Sequence, residues 1–360
     1  MRTAACTALA IALVASSGAG ASECECKHLP LLQIELRNAL QLQAEFKEAQ
    51  ADLRQYTPDT SQAAYKQFTE RKAGRKLEND GSKVRAFDYV PYGTLALHRI
   101  DTGTPEELCR LTDSAEAELK QIERTAECAG IARAIRTHEE THGNLCRAIG
   151  YRAHLSMHGS DSAAGEANAY GAQAAVIRAE IAKIVEGLKP RIEMSAAIRA
   201  QPPANAMVTA LAADMSAELA MSPTQSNAAG QVRFDGAGRQ TLRMTADGAC
   251  RVTAGSPATV ALQATMETDG LEARVSPRTT GALPGIGMRC QLPGAGAGQG
   301  MSMPAPPINA TPDTAVLLLR DGAEKVVDIA DTPGGRAAAQ RGVRLTGQWT
   351  VRLRMACPVP

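Results

Sequence analysis

Aromatic residues are scarce in this 360-residue chain, with one Trp, four Phe and six Tyr, together 3%. So few ring faces argue against a large aromatic-lined ligand groove. An excess of charge of either sign is also missing. The formal net charge is +1, and removal of an N-terminal leader carrying Arg2 would leave acids and bases equal. Without a basic surplus there is no electrostatic case for nucleic acid or an anionic membrane surface as partner. Beyond the first residues no apolar run is long enough to span a bilayer, and no internal repeat is found.

The opening MRTAACTALAIALVASSGAGASEC sets Arg2 ahead of an apolar run from Ala4 to Ala15, then small residues. Ala19-Gly20-Ala21 matches an A-x-A cleavage signal. Residues 1–21 are therefore expected to be a signal peptide, with Ser22 the first mature residue. The expected location is secreted or periplasmic, where cysteines are oxidised. Removing Cys6 leaves eight, namely Cys24, Cys26, Cys109, Cys128, Cys146, Cys250, Cys290 and Cys357. An even number suits disulfides. Ser22 and Glu23 before Cys24 speak against lipidation there, and disulfides are a better use of Cys24-Glu25-Cys26-Lys27-His28 than a metal site.

The length suggests two domains. Residues 29–55 read as an amphipathic helix, with Leu32, Leu36, Ala39, Leu40 and Ala44 on one face. Residues 60–104 hold a basic run, TERKAGRKLENDGSKVR, expected to be solvated surface, and an extended piece, YVPYGTLALHRI. Asp113 or Ser114 caps a helix to about Cys128. A second helix carries IARAIRTHEETHGNLCRAIG to Gly150, and a third starts after Ser160-Asp161-Ser162 and stops before Pro190. Residues 189–228, rich in Ala, Pro, Ser and Gln, read as a linker with room for one helix. From about Gln231, alternating runs such as TVALQATM and WTVRLRMA predict a small antiparallel β domain of sandwich type. A long loop, 291–308, is expected inside it. The fold class is thus α+β, with a mainly helical domain at 22–188, a linker at 189–228 and a β-sandwich-like domain at 229–360.

The chemistry concentrates in RTHEETHGNLC, residues 136–146. On a helix, His138 and His142 lie one turn apart on one face, so both imidazoles can converge on a tetrahedral Zn²⁺. Glu139 is rotated away by one residue. It does not ligate, yet it can reach the open coordination position and act as general base on water. Such a pattern encodes ligand, base and ligand in five residues. Ile131, Ala134 and Ile135 precede it at helical spacing and put it on a packed helix. The competing interpretation is a polar helix face.

The third ligand defines the class. One zincin pattern needs Gly and His three and six residues after the second histidine, where this chain has Leu145 and Ala148. A second needs an Asp three residues before a Tyr, whereas Asp161 lies nine before Tyr170. Glu166 remains, in EANAY, 24 positions after His142. In this the span from about 131 to 185 resembles the gluzincins, the thermolysin-like zinc peptidases. The resemblance implies one Zn²⁺ held by His138, His142 and Glu166, with Glu139 as base and a protein or peptide as substrate. Thermolysin-like members carry an Asp four residues after the ligand Glu. Here Tyr170 stands instead, either orienting a ligand or packing beneath it. His154, His158 and Asp161 compete as third ligand. The resemblance also suggests that His154 or His158 donates a hydrogen bond to the tetrahedral oxyanion. Residues 93–100, with His98, are the candidate edge strand for pairing with a peptide.

Helix geometry prunes the disulfides. Cys128 and Cys146 stand at opposite ends of one helix, over ~20 Å apart, and a bridge needs Cα atoms within about 7 Å. An antiparallel hairpin turning at Ala129-Gly130 brings Cys109 to Cys146, and Cys250 with Cys290 is the expected pair in the β domain. Cys128 then takes Cys24 or Cys26. Cys357 either takes the other and links the domains, or two thiols stay free. The function expected is an exported zinc metallopeptidase. A zinc-stabilised binding or envelope protein without turnover, and a secreted effector or toxin using the same chemistry, are the alternatives.

Overall fold

The computed structural model describes residues 21–73, 104–111, 113–202, 208–227, 229–254, 256–280, 286–291, 300–304 and 311–357. The leader expected at 1–21, Ala21 excepted, and the edge strand expected at 93–100 with His98 lie outside them.

Helices come first in the chain. They are α1 (Leu29–Leu53), α2 (Pro58–Ala73), α3 (Pro105–Leu108), α4 (Asp113–Thr125), α5 (Ala129–Ile149), α6 (Tyr151–Leu155) and α7 (Gly159–Gly187). Strands follow: β1 (Arg191–Gln201), β2 (Val208–Ser226), β3 (Val232–Gly248), β4 (Cys250–Ala254), β5 (Ala258–Thr268), β6 (Glu272–Thr280), β7 (Gly287–Gln291), β8 (Gly300–Pro304), β9 (Ala315–Leu318), β10 (Glu324–Asp328) and β11 (Arg344–Arg354). Helix α8 (Pro333–Gln340) lies between β10 and β11. The class is mixed α+β. Among the described residues no helix is long and apolar enough to cross a membrane.

Helix α1 buries Leu32, Leu36, Ala39, Leu42, Phe46, Ala49 and Leu53, an apolar stripe at helical spacing. It packs along α7, whose buried face includes Ala163, Ala167, Tyr170, Ala174, Ile177 and Ile181. The alanines keep the two backbones close. Helix α5 packs on α7 as well, presenting Ile131, Ala134, Ile135 and His138 as buried residues.

Eight strands form one antiparallel sheet in the order β10-β11-β1-β2-β3-β5-β6-β9. Its outermost strands, β9 and β10, touch without joining in a ladder, so the sheet curls nearly into a barrel. The sandwich expected from the sequence is not what these strands make; a separate small sheet, β4-β7-β8, stands beside the large one. Each long strand alternates buried and exposed residues. In β1 the buried members are Ile192, Met194, Ala196, Ile198 and Ala200, and in β11 Leu345, Trp349, Val351 and Leu353. Methionine and alanine do much of the filling that aromatics do elsewhere, in keeping with the composition.

Two expectations are corrected. Residues 189–228 are not a linker, because β1 and β2 pair with each other in the large sheet from Arg191↔Ala220 to Ala200↔Leu211. The span 291–308 is not all loop, because β8 pairs with β7. In β1 and β2, alanines on both faces blur the period of two.

The helices sit across one end of the curled sheet. Gln33 on α1 donates to the carbonyls of Gly270 (3.2 Å) and Leu319 (2.7 Å), both in sheet turns. Gly230, at φ 73°, lets its turn lie directly on Arg178 of α7. Four disulfides complete the frame: Cys24–Cys128, Cys26–Cys357, Cys109–Cys146 and Cys250–Cys290. The structure thus contains the Cys109–Cys146 bridge expected from helix geometry and the Cys250–Cys290 bridge expected in the β part. It gives Cys128 to Cys24, and the Cys26–Cys357 bridge joins the start of the helical part to the end of the β part.

Candidate metal centre

Both ends of α5 are pinned. Cys24–Cys128 holds the residue before its first turn, and Cys109–Cys146 holds its last turns, four residues past His142. Arg147 adds a hydrogen bond to the Cys109 carbonyl at 2.9 Å. On the outer face Arg136 pairs with Glu116 (3.1 Å) and Glu123 (2.7 Å) of α4. On the inner face, His138 and His142 turn toward α7. Glu166, seven residues into α7, meets them.

The three side chains form a nearly equilateral triangle. His138 Nε2 and His142 Nε2 are 3.3 Å apart, and each lies 3.5 Å from Glu166 Oε2. Ligand atoms placed about 2.0–2.1 Å from a tetrahedral zinc lie about 3.3–3.4 Å from one another, so the triangle has the size of one face of that tetrahedron. His138 and Glu166 are buried, and Glu166 Oε2 has no hydrogen-bond partner. An unpartnered buried carboxylate oxygen is costly, and a cation among the three atoms would satisfy it. Two imidazoles and a carboxylate, with no thiolate, suit a borderline divalent ion. Among the described residues this is the group that can hold a metal ion.

Electrostatics couples the three. Burial alone would raise the Glu166 carboxyl, but the neighbouring His142 and His138 imidazoles outweigh it. They hold the carboxyl well below the usual range. Burial lowers the His142 imidazole, and the Glu166 and Glu139 carboxylates reverse that and leave it raised. Glu139 is buried beside the triangle and outside it. Burial pushes its carboxyl above the ordinary range, against the pull of His138 and His142.

Tyr170 is buried and packs its ring edge-on against His138, with centroids 4.4 Å apart at 66°. Phe46 stacks on Tyr170 at 5.7 Å, and Phe68 meets Phe46 edge-on at 5.3 Å. An aromatic wall therefore backs the first histidine. His138 Nδ1 is buried without a hydrogen-bond partner. The other candidates stand outside the triangle. His154 is half-buried on α6, and burial, helped by the charge on His142, lowers its imidazole. His158 caps α7. Its Nδ1 lies 2.9 Å from the Ser160 hydroxyl, and its Nε2 lies 3.1 Å from the Tyr56 carbonyl. Asp161 is exposed in the first turn of α7.

One residue near the site escapes the sequence reading. Tyr65 of α2 points its hydroxyl at Glu166 Oε1, 3.5 Å away. Its signal is the spacing Ser61, Tyr65, Phe68, which is one face of a helix. Charged neighbours throughout α2 mask that stripe. No protein-family model, no curated protein and no solved structure matches this chain, so the interpretation of the site rests on its own geometry.

Proposed function

We propose that this chain is a zinc-dependent metallopeptidase of gluzincin type. The observation that carries the proposal is the triangle of His138, His142 and Glu166, of tetrahedral size and beside a buried, unligated carboxylate. The four disulfides are consistent with a secreted or otherwise oxidising compartment.

His138, His142 and Glu166 would hold the ion. When bound, zinc supplies Lewis-acid polarisation of a carbonyl and acidification of water. The chain's own residues do the rest. Glu139 takes a proton from the attacking water as the new C–O bond forms, then gives that proton to the amide nitrogen as the C–N bond breaks. A carboxyl raised by burial suits this double duty, because it binds a proton more readily than an exposed one and still releases it. His154 is the group assigned to the developing oxyanion, on the connection between the metal helix and α7. His158 has both ring nitrogens engaged, which favours His154 over it.

A second reading, a zinc-stabilised binding protein without turnover, is favoured by the orphaned His138 Nδ1, since catalytic zinc histidines are commonly oriented through that atom. Glu139→Gln separates the two. It should abolish cleavage of a peptide library and leave about one zinc per chain. A zinc-loaded native protein that cleaves nothing, or a Glu139→Gln protein that cleaves normally, refutes the peptidase reading.

A further inference from the structure

Glu166 has two carboxylate oxygens, and the structure gives them different neighbours. Oε2 faces both imidazoles, while Oε1 faces α2. We infer that Tyr65 is a positioning residue of the metal centre, whose hydroxyl holds Oε1 so that Glu166 offers a single oxygen to the ion. The inference rests on the metal reading above.

The placement of Tyr65 follows from a close helix contact. Gly159 opens α7 with no side chain. A Cβ there would stand 2.3 Å from the Ser61 carbonyl oxygen and 3.2 Å from Tyr65 Cβ. Helix α2 therefore lies directly on the α7 backbone. Gly159 N donates to Ser61 Oγ at 3.0 Å in a buried bond, and Gln62 donates to Ser162 Oγ at 3.1 Å and to the Met157 carbonyl. From this anchor the two helices advance together. Ser61 meets Gly159, Tyr65 meets Glu166, and Phe68 meets the Phe46 ring that stacks on Tyr170.

Chemically, a carboxylate with both oxygens available can ligate through one or through two. A donor on Oε1 removes the second mode and keeps a coordination position open for a reactant. At 3.5 Å the contact is long for an O–H···O hydrogen bond.

The test is Tyr65→Phe, which keeps the ring and removes the donor, in the full-length disulfide-bonded protein. Wild type and variant are stripped of metal, checked for equal urea midpoints, and titrated with Co²⁺. The wild type should take up about one ion with the intense visible bands of four-coordination. Tyr65→Phe should show weakened bands as Glu166 swings to two-oxygen ligation. Its affinity in chelator competition should fall about ten- to a hundredfold. Tyr65→His, which restores a donor, should recover part of both. A purely structural tyrosine would move the urea midpoint and leave the spectrum alone. A wild type that binds one Co²⁺ alongside a Tyr65→Phe protein with the same spectrum and affinity overturns the inference on its own. A wild type that takes up no metal overturns the metal reading and this inference together.

Discussion

Glu35 offers the sharpest test of how burial governs this fold. Two acids lie deep in the helical part away from the triangle, and their surroundings differ. Glu180 has Arg133 and Lys183 each at 3.0 Å. Glu35, 2% exposed on α1, has desolvation and the negative charge of Glu127, and both act in the same direction, pushing its carboxyl up to about 8 from 4.5. In the unfolded chain it returns to ordinary behaviour. Below pH 4.5 the group is protonated in both states and contributes nothing through titration. Between 4.5 and 8 the folded state holds a proton that the unfolded state has lost, so stability falls as pH rises, and the full cost is in place above 8. At about 1.36 kcal/mol per pKa unit the ceiling is roughly 4–5 kcal/mol, and relaxation around the charge leaves a few kcal/mol. The perturbation is Glu35→Gln, close in shape and unable to ionise. Urea unfolding of metal-free protein with its disulfides intact, at pH 5, 7 and 9, gives the comparison. The variant should match the wild type at pH 5 within about 1 kcal/mol and exceed it by a few kcal/mol at pH 9. If the two curves run parallel, their gap changing by less than about 0.5 kcal/mol from pH 5 to 9, the reasoning is wrong.

Three further outcomes follow from contacts described above. Gly159→Ala should destabilise by about 1–3 kcal/mol, because its methyl meets a backbone oxygen rather than a yielding side chain. Zinc affinity should fall with it, as α2 carries Tyr65 and Phe68; chelator competition beside urea unfolding reads both. Trp349, the single tryptophan, is fully buried in the curled sheet, so its emission should be blue-shifted and unmoved by chelators, then shift red on unfolding. Replacing Cys26 and Cys357 together by Ser should cost about 2–5 kcal/mol in a denaturant titration, because it frees a link of 331 residues' separation.

The candidate metal site is legible in the sequence because its parts are local or obey helix arithmetic. His138, Glu139 and His142 need a single turn, and Glu166 needs only a neighbouring helix of readable start. The Cys109–Cys146 pairing follows from rise per residue. Tyr65 is harder to find, since its role depends on a contact made by an absent side chain at Gly159, nearly a hundred positions along the chain. The strands at 191–226 hide for another reason. Ile192, Met194 and Ile198 alternate correctly, but Ala196 and Ala197 fall on opposite faces and blur the contrast on which a period of two depends. Alanine is a strong helix former in isolation, and here tertiary pairing overrides that preference. The curl of the sheet is beyond sequence patterning altogether, because alternation marks which face is inward and says nothing of how many strands share one ladder.

The bridge between Cys26 and Cys357 makes nearly the whole polypeptide a covalent ring. A single nick by a neighbouring protease, at any turn from Lys27 to Ala356, opens that ring and releases nothing. The severed ends stay tethered through the bridge. Such a molecule can survive one cut in a hydrolytic environment, and on a gel the damage would become visible only after reduction.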